Sequence, residues 1–412
     1  MESSLTFTMQ DQEGPRKVRI KVVGAGGGGG NAVNRMIEAG VTGVEFIAVN
    51  TDYQDLEKSK APVKVPIGQK LTRGLGTGGN PERGEQAANE DAGILAEHLH
   101  GADLVFIAAG MGGGTGTGSA PVLARLAAEA GALVVAVVTK PFGMEGKQRD
   151  LNARRGLDQL DEAAATLIVI PNDNLLQHLP KGVKLREAFR AADDILRQGV
   201  QGITDLITRP GDINLDFEDA RTVLSSGGRA VMGMGFAKGE GRAVKAAECA
   251  AHNPLLEDAS IQGARAILIN FTADESLSLD EVFEATEFVR QKANPDANVL
   301  WGTSCDPSLG DEVRVTVVAA SFESHADAAA MRVLKRPAFT AGSSAAAAAA
   351  ASANASPFGN VPGVDQELPT TSSGFIRGAR SKADPVQDAV FAAEEKNYEI
   401  IQTPTFIRKS RS

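Results

Sequence analysis

Short apolar, β-branched runs at 18–23, 44–49, 104–109, 133–138 and 167–170 read as buried strands, and the stretches between them carry helical spacing. Strand and helix alternating in this way predict an α/β fold, a mostly parallel, doubly wound sheet of Rossmann type. A long helical pattern then runs from about 184 to 207 and meets a stop signal at Arg209-Pro210-Gly211. Beyond it, strand-like runs recur at 264–271, 299–301 and 313–319. A helical stretch at about 279–291 lies among them, which predicts a second, smaller α/β domain. Near residue 320 the pattern fades. Seven successive alanines at 345–351 and then Pro357, Pro362 and Pro369 cannot bury enough apolar surface to offset chain entropy, which predicts a disordered linker. The expected organisation is a flexible N-terminus at 1–16, a first domain at 17–183, a central helix at 184–209, a second domain at 210–322, the linker at 323–396 and a terminal peptide at 397–412.

Composition narrows the function class. The 412 residues carry 42 Lys and Arg against 52 Asp and Glu, a net charge of −10, which argues against a dedicated nucleic-acid binder. Cys249 and Cys305 are the only cysteines, so a disulfide framework is excluded and a reducing compartment favoured. Cys249 sits in an apolar helical pattern and reads as core rather than nucleophile. No run of about 18 apolar residues predicts a membrane span, and the first sixteen residues lack a secretory pattern; a cytoplasmic chain is the expectation. The five histidines are scattered, and no metal-binding motif occurs.

Glycine is the informative residue. A glycine-rich loop at 24–31 directly follows the first strand and precedes a helical pattern. Glycines let a phosphate approach backbone N–H groups, and a helix N-terminus adds positive potential. Taken alone, this loop with Asp52 downstream matches a dinucleotide fingerprint and supports an NAD(P)-binding Rossmann oxidoreductase as the alternative reading. A second loop at 110–118 follows the strand at 104–109 and is expected to open a helix near Ser119, with Pro121 in its first turn. No P-loop string occurs. Two separate anion nests at one sheet edge suit a long polyphosphate such as a nucleoside triphosphate, with Thr115 and Thr117 adding hydroxyl contacts.

GGGTGTG at 112–118 is similar to the tubulin-superfamily signature in its bacterial form, and residues 17–320 as a whole resemble the FtsZ family of cell-division GTPases. The resemblance implies the tubulin/FtsZ fold. It implies a GTP-dependent polymerising cytoskeletal protein that forms the bacterial division ring, assembled at midcell beneath the inner membrane. GTP or GDP phosphates would be held by Gly27, Gly28, Gly29, Gly30 and Asn31, and by Gly114, Thr115 and Gly116. Glu145 and Arg149 would contact ribose and phosphate; on residue type alone they read as a surface i,i+4 pair. Asn172, Phe189, Asp193 and Asp194 would meet the base. The family usually has Asn-Asp at 193–194 where this chain has Asp-Asp, and adjacent helix residues cannot both face the base.

The string NLDFED at 214–219 resembles the loop that completes hydrolysis in this family. Asn214, Asp216 and Asp219 would act on the γ-phosphate of the neighbouring subunit in a head-to-tail filament, with Mg²⁺ bound mainly through the phosphates. Without the resemblance, Asp216 reads as an N-cap and Asp219 as a first-turn acid. Presence of both acids argues against a non-hydrolysing tubulin-type scaffold. The tail at 403–409 resembles the family's adaptor-binding peptide, with Gln402-Thr403 where Asp-Ile is usual. Its partner would be a membrane-tethering division adaptor, with neither nucleic-acid binding nor direct membrane insertion.

Overall fold

The computed structural model describes residues 17–176, 179, 182–209, 211, 213, 215–225, 228–253 and 261–322. The N-terminus at 1–16, Pro210, Asn214, the linker at 323–396 and the terminal peptide lie outside the described residues.

Ten strands form one sheet: β1 (Ile20–Ala25), β2 (Val44–Asn50), β3 (Val63–Pro66), β4 (Leu104–Gly110), β5 (Leu133–Lys140), β6 (Thr166–Pro171), β7 (Arg229–Lys238), β8 (Ala264–Ala273), β9 (Asn298–Cys305) and β10 (Glu312–Phe322). Their order is β3-β2-β1-β4-β5-β6-β7-β10-β8-β9. From β3 to β7 every pairing is parallel, and β1 sits between β2 and β4 with Ile20 opposite both Val44 and Leu104. Strand succession therefore reverses direction between β1 and β4, and a crevice opens there at the carboxyl ends, where open α/β sheets bind ligands. The two strands that flank this crevice are the two that lead into glycine-rich segments.

Alternate residues along each central strand face opposite layers. Val22, Phe106, Ala108 and Val137 pack with Ile195, Leu196, Val200 and Ile203 of the central helix Leu185–Thr208. Val23, Val105, Ile107 and Val138 pack with Leu123, Leu157 and Leu160 on the other side. The central helix thus lies along one face of the sheet. Its 24 residues span about 36 Å at 1.5 Å per residue. Antiparallel β7–β10 and β10–β8 and parallel β8–β9 extend the sheet into the second domain, whose core includes Ala246, Ala250, Phe271 and Val289. Among the described residues no helix is long and apolar enough to cross a membrane.

Two features correct the sequence expectations. Glycines 26–30 are the opening turns of the helix Gly26–Glu38 rather than a loop. The second glycine segment becomes helical at Thr115, not near Ser119, and Pro121 lies in the second turn of Thr115–Glu129. Strands β3 and β7 were not anticipated. β3 is four residues long and ends in Pro66, suited to an edge. β7 carries Gly233 and Gly235 mid-strand because a helix, Arg242–Ala251, presses on them. A Cβ at Gly233 would lie 1.9 Å from the Ala250 carbonyl oxygen, and one at Gly235 would lie 2.0 Å from that of Ala246.

Candidate nucleotide cleft

At the end of β1, Gly26 takes φ +68° and turns the chain into its helix. The glycines behind it allow the helix to seat on the strand ends. A Cβ at Gly24 would lie 2.5 Å from the Gly29 carbonyl oxygen, and one at Gly29 would lie 2.1 Å from that of Ala108 on β4. After β4 the chain turns at Gly112, φ +102°, whose N–H donates to Thr117 Oγ1 at 2.8 Å, and enters the second helix. A Cβ on Gly26 would fall 2.7 Å from the Gly116 nitrogen, so the two helix N-termini meet.

Neither N-terminus is capped. Ala25 and Gly114 give no side-chain cap, and no acidic residue stands in either first turn. Orphan N–H groups and two helix dipoles are therefore left for an anion. A cleft of about 520 Å³ opens against them, a size suited to a nucleotide. Its lining includes Gly27, Gly28, Asn31, Gly114, Thr115, Gly116, Glu145, Arg149, Asn172, Phe189 and Asp193. Of the expected phosphate contacts, Gly29 is buried against Ala108 instead, and Gly30 faces a separate small cavity of about 80 Å³. Thr117 turns inward to hold Gly112.

Glu145 accepts from the Phe142 N–H at 2.9 Å and pairs with Arg149, so the i,i+4 pair forms and also stands on the cleft wall. The guanidinium side chain remains 56% exposed, which leaves donors free for phosphate oxygens. The turn Gly143–Glu145 is tied across to the next strand end, where Gly143 N–H donates to Asp173 Oδ1 at 2.9 Å. Beside it Asn172 is 4% exposed, and its Oδ1 has no hydrogen-bond partner. An orphaned buried acceptor on a cleft wall fits a donor from a base or a ribose. Phe189 contacts Phe142 edge to face at 5.3 Å between centroids and lines the cleft.

The two neighbouring acids separate. Asp194 is taken by Arg197 Nε at 2.6 Å and by Gln198, and it does not line the cleft. Asp193 does. Burial pushes its carboxyl up to about 7, with Arg35 opposing and Asp194 reinforcing. This carboxyl is neutral in the folded chain and ionised in the unfolded one between about pH 4 and pH 7. Its stabilisation is therefore whole below pH 4 and lost as pH rises through 7. Asp193→Asn is expected to remove about 2–3 kcal/mol of the fall in nucleotide-free stability between pH 5 and pH 8. Urea unfolding of both chains across that range measures it; parallel profiles would refute it.

Further cleft residues were missed by the sequence reading. Gly76, Thr77, Gly78 and Gly79 form the facing wall with Leu75. Gly74, Gly76, Gly78 and Gly79 all have positive φ, as does Arg73 at +55°. The glycine density there was a legible signal, but it follows a short helix, Gln69–Thr72, rather than a strand. Asp52, which stands downstream of the first glycine segment as in a dinucleotide fingerprint, lines the cleft but is engaged as the N-cap of Tyr53–Glu57, accepting from the N–H groups of Gln54 and Asp55.

Asp216 and Asp219 lie elsewhere. Asp216 caps the helix Phe217–Leu224 by accepting from the Asp219 N–H at 2.8 Å, and both side chains are exposed. They follow the C-terminal end of the central helix, whereas Phe189 near its N-terminal end lines the cleft. Nineteen residues of helix, about 28 Å, separate Phe189 from Thr208. Cys249 is part-buried and burial pushes its thiol up, in keeping with a packing role.

Comparison with known proteins places this architecture. Residues 19–180 match the model of the tubulin/FtsZ family GTPase domain, and residues 228–323 match that of the FtsZ family C-terminal domain. An FtsZ dimer from M. jannaschii, described as empty, shares 45% identity, with 74% of this chain and 89% of that one covered and a TM-score of 0.72. CetZ2 of Haloferax volcanii, solved as a GTPγS-bound protofilament, is 24% identical over 77% of this chain and 98% of its own, with a TM-score of 0.65, and shows the fold alone. These matches set aside the dinucleotide-dependent oxidoreductase. With the signature turn, the paired helix N-termini and both domain matches in agreement, the chain belongs to the tubulin/FtsZ family of GTPases.

Proposed function

We propose that the chain is an FtsZ-type cytoskeletal GTPase that polymerises head to tail, each subunit's Asp216 and Asp219 completing the cleft of the next, and that its filaments build a division ring beneath the inner membrane at midcell. The carrying observation is the separation of the acids from the cleft along the central helix. Acids that do line the cleft near the glycines are committed locally: Asp52 caps a helix, Asp55 accepts from Asn50 Nδ2 at 3.0 Å, and Glu145 holds Arg149. Triphosphate hydrolysis needs an oriented water and charge neutralisation, and an exposed carboxylate pair brought from outside supplies the first. A head-to-tail contact of this kind is heterologous and extends into filaments. The match to the FtsZ C-terminal domain and the higher identity to FtsZ than to CetZ support the FtsZ type.

Asp193 reads the guanine edge in this proposal, stacking is left to Phe189, and Asn172 supplies an acceptor. Among the described residues no three His, Cys, Asp or Glu side chains converge as a metal site, so Mg²⁺ accompanying GTP would be held by the phosphates. The basic-apolar peptide at 403–409 would dock on a membrane-tethering adaptor.

Specific GTPase activity is expected to rise with protein concentration above a threshold at which light scattering also rises. Phosphate release strictly proportional to protein through that range would sink the shared site.

A further inference from the structure

The segment that leaves the central helix is clamped before it reaches the two acids. Arg209 directly follows the helix, with its side chain 28% exposed. Its Nε donates to Asp205 Oδ1 at 2.9 Å, one turn back, and its Nη1 lies 3.6 Å from Asp306 Oδ2, just past β9. Asp306 is itself anchored, its N–H donating to the Ala273 carbonyl at 2.8 Å and its Oδ1 capping Ser308. Two residues on, a Cβ at Gly211 would lie 1.8 Å from the Thr303 carbonyl oxygen, so the backbone lies directly on β9. Ile213 then pairs with the same residue: its N–H donates to Thr303 Oγ1 at 3.1 Å, and its carbonyl accepts from the Thr303 N–H at 2.9 Å. Leu215 is buried, and Asp216 and Asp219 emerge exposed.

We propose that Arg209 and Thr303 are positioning residues for GTP hydrolysis: by fixing the chain to Asp306 and to β9 they set the angle at which Asp216 and Asp219 are presented to the neighbouring subunit. The inference rests on the shared-site reading. An exposed acid at the end of an unsupported loop samples many positions, whereas catalysis of this kind demands placement within a fraction of an ångström. The clamp joins two elements, the helix end and the β9 end, so the direction of the loop is set by both. Asp205 is nearly buried, and Arg209 is its ion-pair partner on the helix, while Gln201 Nε2 donates to it at 3.2 Å. Arg209→Gln therefore releases the loop and leaves that acid less compensated. Thr303→Val removes only the side-chain acceptor of the Ile213 N–H, and Asp306→Asn removes the second carboxylate facing Arg209 together with one of the charges that offset the buried Arg314.

The test uses the full chain with GTP and Mg²⁺, measuring phosphate release per sedimented subunit, GTP affinity and the assembly threshold. Arg209→Gln is expected to turn over about tenfold more slowly per polymerised subunit, and Asp306→Asn and Thr303→Val about threefold, with GTP affinity within about twofold of the parent. Arg209→Lys, which keeps the charge, is expected to recover part of the loss. Should Arg209→Gln not fold, the other two variants carry the same comparison. Parental turnover per polymerised subunit in Asp306→Asn and Thr303→Val, while Asp219→Ala is inactive, would overturn the positioning role and leave the shared site standing. A loss of GTP affinity as large as the loss of turnover would also overturn it. Full turnover in Asp219→Ala would instead remove the shared site itself.

Discussion

Asp219→Ala is expected to bind GTP with parental affinity and to hydrolyse it at least about a hundredfold more slowly. The fold should tolerate this change. Asp216 caps its helix through the backbone N–H of residue 219, which alanine retains, and the Asp219 side chain itself is exposed. Asp216→Ala would lose the cap, at a cost of about 1 kcal/mol, and would mix a stability effect with a catalytic one. Subunit mixing makes the result decisive. Arg149→Ala damages the cleft but keeps its acids, whereas Asp219→Ala keeps the cleft. In an equimolar copolymer about one interface in four joins an intact cleft to intact acids, so the mixture should recover about a quarter of parental turnover although each variant alone is nearly inactive. No recovery, with copolymers demonstrably formed, would place the acids and the cleft in the same subunit's mechanism.

How far the sequence foretold this molecule depended on whether a signal was local. β1, β2, β4, β5 and β6 were visible because buried parallel strands are continuous apolar runs. The central helix was visible from its 3.6-residue period, and its observed bounds differ by one residue from those expected. β7 was hidden: Gly233 and Gly235 look like turn residues until the helix packed on them is known. The run at 26–30 reads as a loop for the same reason, since its glycines answer to contacts with β4 and with Gly116, partners remote in the chain. The cleft wall at 75–79 required knowing which surface faces the helix N-termini. Asp193 and Asp194 could not be told apart from sequence, because which one faces the cleft depends on the rotation of the central helix and on Arg197, which occupies Asp194. Neighbouring identities therefore foretold which chemistry was present, and long-range packing decided which residues perform it.

That distinction gives the second large effect, within one run of identical residues. Gly29→Ala is expected to destabilise the chain by about 3 kcal/mol or more and to abolish GTP binding, while Gly30→Ala is expected to stabilise it by about 0.5–1 kcal/mol. A Cβ at Gly29 would meet the Ala108 carbonyl oxygen at 2.1 Å and the Gly24 carbonyl carbon at 2.9 Å, all backbone of the two strands that frame the crevice. Neither strand can retreat, because β4 is buried almost throughout and is paired on both sides. The helix would have to lift from the sheet, carrying its free N–H groups away from those of the second helix. At Gly30 a Cβ would meet nothing within 4 Å, and the residue has ordinary helical φ, so alanine there only lowers the entropy of the unfolded chain. Urea midpoints of the nucleotide-free variants separate the two cases. Equal midpoints would mean that the run serves through its flexibility rather than its packing, and that the cleft is not built by the close seating of helix on strand.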